Sequence, residues 1–206
     1  MQLGVKKIKY QIGIDEVGRG PLAGPLTLCA VMIQKSTAKN FLKIFRGVND
    51  SKQLTEKQRK GWAKVAKWAK ERNRIDFSIS SVKNTTIDKI GLARAVRRAL
   101  GNCLKKLEAI PSECEIFLDG SLYAPKEFLY QKTIIGGDSK VKIISLASII
   151  AKVHRDRKME RLSKRYPQYS FEIHKGYGTK AHYRAIKKHG ISNIHRKSFL
   201  RGIVLV

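Results

Sequence analysis

Apolar side chains along the chain fall into short runs and helical stripes separated by glycine and proline. Tyr10 to Ile14 and Leu26 to Ile33 are runs of strand length, parted by Gly18, Gly20, Pro21, Gly24 and Pro25, residues that interrupt regular backbone. Arg74 to Ser80 alternates around Ile75, Phe77 and Ile79, which predicts a strand with one buried face. Glu115 to Leu118 and Lys132 to Ile135 supply two further strands. Elsewhere the apolar period is helical. Thr55-Glu56-Lys57-Gln58 has the spacing of a capping box, and Trp62, Val65, Ala66 and Ala69 follow at helical intervals, predicting a helix from Thr55 to about Arg72. Ile90, Ala93, Val96, Leu100, Cys103, Leu104 and Leu107 predict a second helix that ends before Pro111. Leu146, Ile149, Ile150, Val153 and Leu162 describe a long helix through about Arg165, and Thr179 caps a last one that stops at Gly190. Strands mixed with crossing helices make the chain α/β.

Composition narrows the class of partner. The 206 residues, 42% of them hydrophobic, can bury a core and are not disordered. They are expected to form one domain over 1–206, with 167–206 as a helical docking segment of the same unit. Lys and Arg number 43 against 16 Asp and Glu, a formal net charge of +27. Such self-repulsion is offset by an extended anionic partner, and nucleic acid fits best. No apolar run approaches the roughly 20 residues of a membrane span, and Lys6, Lys7 and Lys9 stand in a start without the apolar stretch of a signal peptide. Cys29, Cys103 and Cys114 form no Cys-x-x-Cys pair and are odd in number, which points to a reducing, cytoplasmic compartment rather than a disulfide scaffold.

In so basic a chain the positions of the acids are informative. Asp15 and Glu16 follow the strand that ends at Ile14, Asp119 ends another, and Asp138 comes after Ile134-Ile135 and two glycines. If these three strand ends are neighbours in one sheet, their carboxylates repel unless a cation neutralises them. Mg²⁺ or Mn²⁺ prefers such hard oxygen ligands, and two such ions can activate a water, stabilise a leaving oxygen and clamp a phosphodiester. The plainer alternative is that Asp119 before Gly120 and Asp138 before Ser139 shape turns. Asp15 and Glu16, being consecutive, share a site only if the strand twists or ends there. Asp156, on the inward stripe of the long helix, is a competing candidate or a structural ion pair.

Several other positions suit a phosphate backbone. Gly18-Arg19-Gly20 lets main-chain amides approach a ligand while Arg19 takes a phosphate, or is simply a tight turn. Ser51 and Lys52 could hold a phosphate at the start of the capped helix, or Asp50 and Ser51 could shape the loop. Ser145, Ser148, Lys152 and Arg155 lie at near-helical spacing suited to phosphates or to a solvated basic face. Tyr177, between Gly176 and Gly178, can stack on a sugar or base because the flanking glycines leave its ring clear. His195-Arg196-Lys197-Ser198-Phe199 reads as a docking segment with His195 hydrogen-bonded.

Taken in order, Gly13-Ile14-Asp15-Glu16-Val17-Gly18-Arg19-Gly20-Pro21-Leu22-Ala23-Gly24-Pro25 closely resembles the opening motif of ribonuclease HII. The resemblance continues through Asp50-Ser51-Lys52, Leu118-Asp119-Gly120, Gly137-Asp138-Ser139, Ala147 to Val153 with Arg155-Asp156, Gly176 to Thr179 and His195 to Phe199. It implies a ribonuclease H-like fold, a mixed five-stranded sheet flanked by helices with a C-terminal helical segment. It also implies cleavage of the RNA strand of RNA–DNA hybrids, and incision 5′ of a ribonucleotide embedded in duplex DNA, leaving 3′-hydroxyl and 5′-phosphate ends. Asp15, Glu16, Asp119 and Asp138 carry over as ligands of two divalent ions, Mg²⁺ or Mn²⁺. Gly18, Arg19 and Gly20 carry over as readers of the ribose 2′-hydroxyl, and Tyr177 as a stacking residue on the adjoining deoxyribose. A sliding-clamp protein is a candidate partner, and the chain is expected to be a monomer. Two departures stand out: Leu146 replaces a small residue before Ala147, a change of packing, and Gly137 points to a looser loop for Asp138. Residues after Phe199 match nothing in the pattern. The rival from another class is a non-catalytic RNA-binding protein, and a nuclease of the same fold that ignores the 2′-hydroxyl is a second.

Overall fold

In the computed structural model, which describes residues 7–201, the chain opens with β1 (Tyr10–Val17) and β2 (Leu26–Gln34), followed by helices α1 (Ala38–Ile44) and α2 (Glu56–Glu71). Then come β3 (Asp76–Val82), α3 (Asn84–Ile90), α4 (Leu92–Lys106), β4 (Cys114–Asp119) and β5 (Gln131–Ile134). The C-terminal part holds α5 (Gly137–Lys140), α6 (Lys142–Arg165), α7 (Phe171–His174) and α8 (Lys180–His189). The five strands form one sheet in the order β3-β2-β1-β4-β5. β1, β2 and β3 pair antiparallel, while β4 runs parallel to β1 and β5 parallel to β4. The sheet is therefore the mixed five-stranded one expected.

Both faces of the sheet are covered, which is why β2 reads as an almost unbroken apolar run. On one face Ile12, Ile14, Leu28, Ile116 and Leu118 pack against Ile87 of α3 and Val96, Ala99, Leu100, Cys103 and Leu104 of α4. On the other, Cys29, Val31 and Ile33 meet Phe41 of α1, Ala66 and Ala69 of α2, and the first half of α6. From Ile143 to Ala151 every residue of α6 is buried, Leu146 included, so this segment is a core helix rather than an amphipathic one. Gly13 makes room for it. A Cβ there would lie 2.5 Å from the Ile143 carbonyl carbon, so only glycine on β1 lets the start of α6 lie so close to the strand.

The helices depart from the sequence reading in identifiable ways. Thr55 and Thr179 do cap α2 and α8, through bonds from the amides of Gln58 and His182. The second predicted helix is α4, but it starts after Gly91, whose φ of 80° separates it from α3, a short helix the apolar spacing did not announce. β1 runs on to Val17, because pairing of Asp15 with Cys29 and Glu16 with Leu28 extends the ladder through polar residues. Asp138 lies in the first turn of α5 rather than on a strand end. The reading of the chain start falls mostly outside the described residues, as does the segment beyond Arg201. Among the described residues no helix is long and apolar enough to cross a membrane.

The segment after α6 folds back onto the β1–β2 loop. Leu22 and Ala23 join Met159, Tyr169, Phe171, Ile186 and Leu200 in a third apolar cluster, and Ala23 bridges to His195. His182 and His195, buried within it, place their Nε2 atoms 3.0 Å apart. His182 Nδ1 donates to the Tyr177 carbonyl at 2.9 Å, and the Ser192 amide donates to His195 Nδ1 at 2.8 Å. The partners fix both tautomers: His195 Nε2 carries the proton that His182 Nε2 accepts. A second proton on either ring would set two N–H groups face to face.

Two expectations follow from this packing. Gly13→Ala should destabilise the fold by about 1–3 kcal/mol, as overpacking does. Gly61→Ala, on an exposed stretch of α2 with open space around the new carbon, should stabilise it by up to about 1 kcal/mol. Urea unfolding measures both. Burial holds the His182 and His195 pKa values down at about 4, below the ordinary 6.5. Between these limits the unfolded chain binds protons that the folded one refuses. Stability is thus complete above pH 6.5 and is lost as the pH falls towards about 4. Urea midpoints across that window should fall in the native protein and fall less in His195→Gln; an equal fall in both would place the titration elsewhere.

Candidate active site

The parallel pairing of β1 with β4 builds the centre of the site. Ile14 sits opposite Leu118, so the next residues, Asp15 and Asp119, end up side by side on the face that α6 covers. The turn after β5 then brings in Asp138, whose amide donates to Asp119 Oδ1 at 3.2 Å. Asp15, Asp119 and Asp138 each offer an oxygen within 4.8 Å of the others. Gly137 tightens this arrangement rather than loosening it. A Cβ there would meet Ile144 Cδ1 at 2.7 Å and Asp119 Oδ1 at 3.3 Å, so the expectation of a looser loop is corrected.

Glu16 stands apart from these three. Strand alternation sends it to the opposite face, where its Oε1 accepts from Arg19 Nη1 at 3.0 Å. It nevertheless lines the same cleft, and its Oε2 is buried without a hydrogen-bond partner.

The electrostatics are those of a site short of positive charge. Burial, then the charges of Glu16 and Asp119, raise the Asp15 pKa to about 8, against contact with the Ser148 hydroxyl. Burial also raises that of Glu16, with Arg19 opposing it. The nearest compensating cation is Lys52, whose Nζ lies 2.9 Å from Asp138 Oδ2. That bond raises the lysine pKa in turn. A donor set of three carboxylates, with the unpartnered Glu16 Oε2 on the same cleft, fits a hard divalent cation and not zinc, whose thiolate and imidazole ligands are absent from the cluster.

Around this centre runs a cleft of about 430 Å³ that gathers Asp15, Glu16, Gly18, Arg19, Gly20, Ser51, Lys52, Asp119, Asp138, Ser148, Lys152 and Tyr177. Their surroundings differ from the sequence expectation in several places. Ser51 is buried and shares a hydrogen bond of 2.9 Å with Ser148, while Asp50 shapes the loop by accepting from the Lys52 amide at 2.8 Å. Asp156 lies outside the carboxylate cluster and holds Lys152 Nζ at 2.9 Å, one helical turn away. Ser145 and Arg155 face inward, with the Ser145 hydroxyl on the Val141 carbonyl and Arg155 fully buried. Neither can reach a phosphate. Tyr177 is 40% exposed with its ring 5.6 Å from the Arg155 guanidinium. Gly176 before it serves backbone packing, since a Cβ there would lie 2.5 Å from the Ala23 carbonyl oxygen, and Gly178 after it leaves room for the Tyr183 ring.

Sequence reasoning missed Arg59 in the cleft and Ser121 beside it. Arg59 on α2 lines it and donates to the carbonyls of Ser51 and Leu54, fixing the Ser51-Lys52 loop. Its place in the first turn after the Thr55 cap was the available signal. Ser121, which accepts from Arg19 at 3.2 Å, had none.

Comparison with known proteins identifies the family. The family model described as Ribonuclease HII matches residues 12–202. Curated proteins named Ribonuclease HII from Prochlorococcus marinus subsp. pastoris and from Endomicrobium trichonymphae are each 43% identical, over 95% and 91% of this chain and 90% and 83% of their own. Among solved structures, a chain in the PCNA:RNase HII complex from Archaeoglobus fulgidus superposes with a TM-score of 0.74 at 22% identity, covering 95% of this chain and 96% of that one. Bst-RNase HIII in complex with Mn²⁺ gives 0.61 at 20% identity, covering 94% of this chain and 65% of that one. A match along nearly the whole sequence, on a sheet that draws three acidic residues together, makes this chain a member of the ribonuclease HII family and, with it, an endoribonuclease hydrolase.

Proposed function

We propose that the cleft hydrolyses the RNA strand of RNA–DNA hybrids and incises on the 5′ side of a ribonucleotide embedded in duplex DNA, leaving 3′-hydroxyl and 5′-phosphate ends. One observation carries the reading: three carboxylates converge within 4.8 Å in a chain of net charge +27. A purely RNA-binding protein gains nothing from such a cluster, because acids at the centre of a basic cleft repel phosphate.

Asp15, Asp119 and Asp138 would hold two divalent cations, Mg²⁺ or Mn²⁺, with Glu16 as a fourth ligand through its unpartnered Oε2. Ions bound there would lower the pKa of a water and offset negative charge on the scissile phosphate. The chain's own groups do the positioning. Lys152, steadied by Asp156, and Lys52 face the cleft as partners for backbone phosphates, and Lys52 is free for that role once a cation replaces it on Asp138. Ser148, supported by Ser51, orients the buried Asp15. The Gly18-Arg19-Gly20 loop reads the ribose 2′-hydroxyl, and Tyr177 stacks on the adjoining deoxyribose.

The Mn²⁺ and PCNA of the two solved structures belong to those proteins. For this chain, Mn²⁺ as an alternative to Mg²⁺ and a sliding clamp as partner are part of the same proposal. So are its work as one monomeric, cytoplasmic catalytic unit and the docking role of 167–206.

The test is a DNA duplex holding a single ribonucleotide, incubated with and without Mg²⁺ or Mn²⁺. Metal-dependent nicking at one position is expected. Asp15→Asn and Asp119→Asn should each lower it by about a thousandfold or more, the scale on which loss of a central charge-stabilising group is felt, while hybrid binding persists. Activity kept by either variant would remove that residue from the metal site. Equal cutting of an all-DNA duplex would overturn the substrate assignment.

A further inference from the structure

The glycine-rich loop beside the carboxylates rests on two arginines buried beneath it. Arg155 of α6 and Arg196, which precedes the final turn at Lys197–Phe199, are each 0% exposed. All their hydrogen bonds run to backbone carbonyls. Arg196 donates through Nη2 to Gly18 at 2.6 Å, through Nη1 to Arg19 at 2.8 Å and through Nε to Gly24 at 3.1 Å. Arg155 donates through Nε to Pro25 at 3.0 Å and through Nη2 to Lys175 at 2.9 Å.

Burying a guanidinium without a carboxylate is costly, so its placement calls for a physical reason. Backbone geometry supplies one. In a planar trans peptide unit the carbonyl and the amide point in opposite directions. With the carbonyls of Gly18 and Arg19 drawn inward onto one guanidinium fork, the amides of the same two units, those of Arg19 and Gly20, must point outward. Among the described residues these amides donate to no protein group, and both residues line the cleft. Gly18, at a φ of 87°, lets the loop lie directly on Arg155, since a Cβ would fall 2.3 Å from its Nε. Through Lys175 and the Tyr177 ring, Arg155 also ties the loop to the stacking residue.

We infer that Arg196 is a positioning residue for recognition of the ribose: it turns the Gly18–Arg19 and Arg19–Gly20 peptide units so that two amides face the 2′-hydroxyl, with Arg155 as the platform below. The inference rests on the proposed role of that loop. Burial lowers the Arg196 pKa only to about 10, so the group stays charged at neutral pH and polarises the amides it orients. Lysine would keep the charge but not the fork, because an ammonium is a point donor without fixed geometry.

The experiment compares affinities, measured by fluorescence anisotropy without divalent cation, for a duplex with one ribonucleotide and for the same duplex in all-DNA form. In the native protein the ribonucleotide duplex should bind more tightly. Arg196→Lys should shrink that preference about tenfold, the scale of one hydrogen bond lost or misaligned, while leaving all-DNA affinity close to native. A merely structural role would lower both affinities together and leave their ratio alone. Should Arg196→Lys fail to fold, Asp88→Ala serves instead. Asp88 anchors the amides of Lys197 and Ser198 at 3.0 Å and so fixes the backbone that carries Arg196 without touching its fork. It should reduce the preference in the same direction. An undiminished ratio in a folded variant overturns the inference. A native ratio near one overturns the 2′-hydroxyl reading, and the inference with it.

Discussion

Repulsion between carboxylates held out of water is the constraint from which the architecture of this protein is best understood. Asp15 is buried beside Glu16 and Asp119, and its proton is held to about pH 8 when no cation is present. Lys52 offsets part of that repulsion from the rim, on a side chain 78% exposed. A lysine so solvated can be displaced, whereas the backbone that brings the acids together cannot yield. The rest of the chain is strongly basic, so the same cleft that gathers negative charge at its floor attracts a polyanion to its walls.

Backbone pairing, not side-chain attraction, enforces this crowding. The parallel register of β1 and β4 fixes the spacing of Asp15 and Asp119, and the short connection through Gly136 and Gly137 leaves Asp138 nowhere else to go. The two close approaches at Gly13 and Gly137 hold α6 against this end of the sheet, and α6 in return delivers Ser148 and Lys152 to the cleft. Core and site are thus one construction. The C-terminal segment completes it, since the cluster around Leu22, Tyr169 and Phe171 seats His182, whose ring fixes the Tyr177 carbonyl.

Much of this was legible in the sequence wherever a local rule acts alone. Thr55 and Thr179 announced their helices because a hydroxyl three residues before an amide is a sufficient signal. The acids of the site were conspicuous because acidic residues are sparse in so basic a chain and these stand at or just beyond the ends of apolar runs. What escaped reading depended on tertiary contact. The polar end of β1 is strand because β2 pairs with it. Arg155 has helical spacing suited to a phosphate or a solvated face, yet the fold claims it for backbone carbonyls, and the ion-pair partner of Asp156 is Lys152, one turn away, rather than a flanking arginine. Gly176 and Gly137 are small for the sake of neighbours more than 15 residues away in sequence or across a packed turn, and no spacing rule reports that.

The central claim is that Asp15, Asp119 and Asp138 share hard cations, and carboxyl carbon NMR on aspartate-labelled protein tests it without reference to catalysis. With Mn²⁺ added well below stoichiometry, the three signals should broaden together, ahead of surface acids such as Asp76 and Asp88. Broadening spread evenly over all the aspartates, or absent from any one of the three, would contradict it.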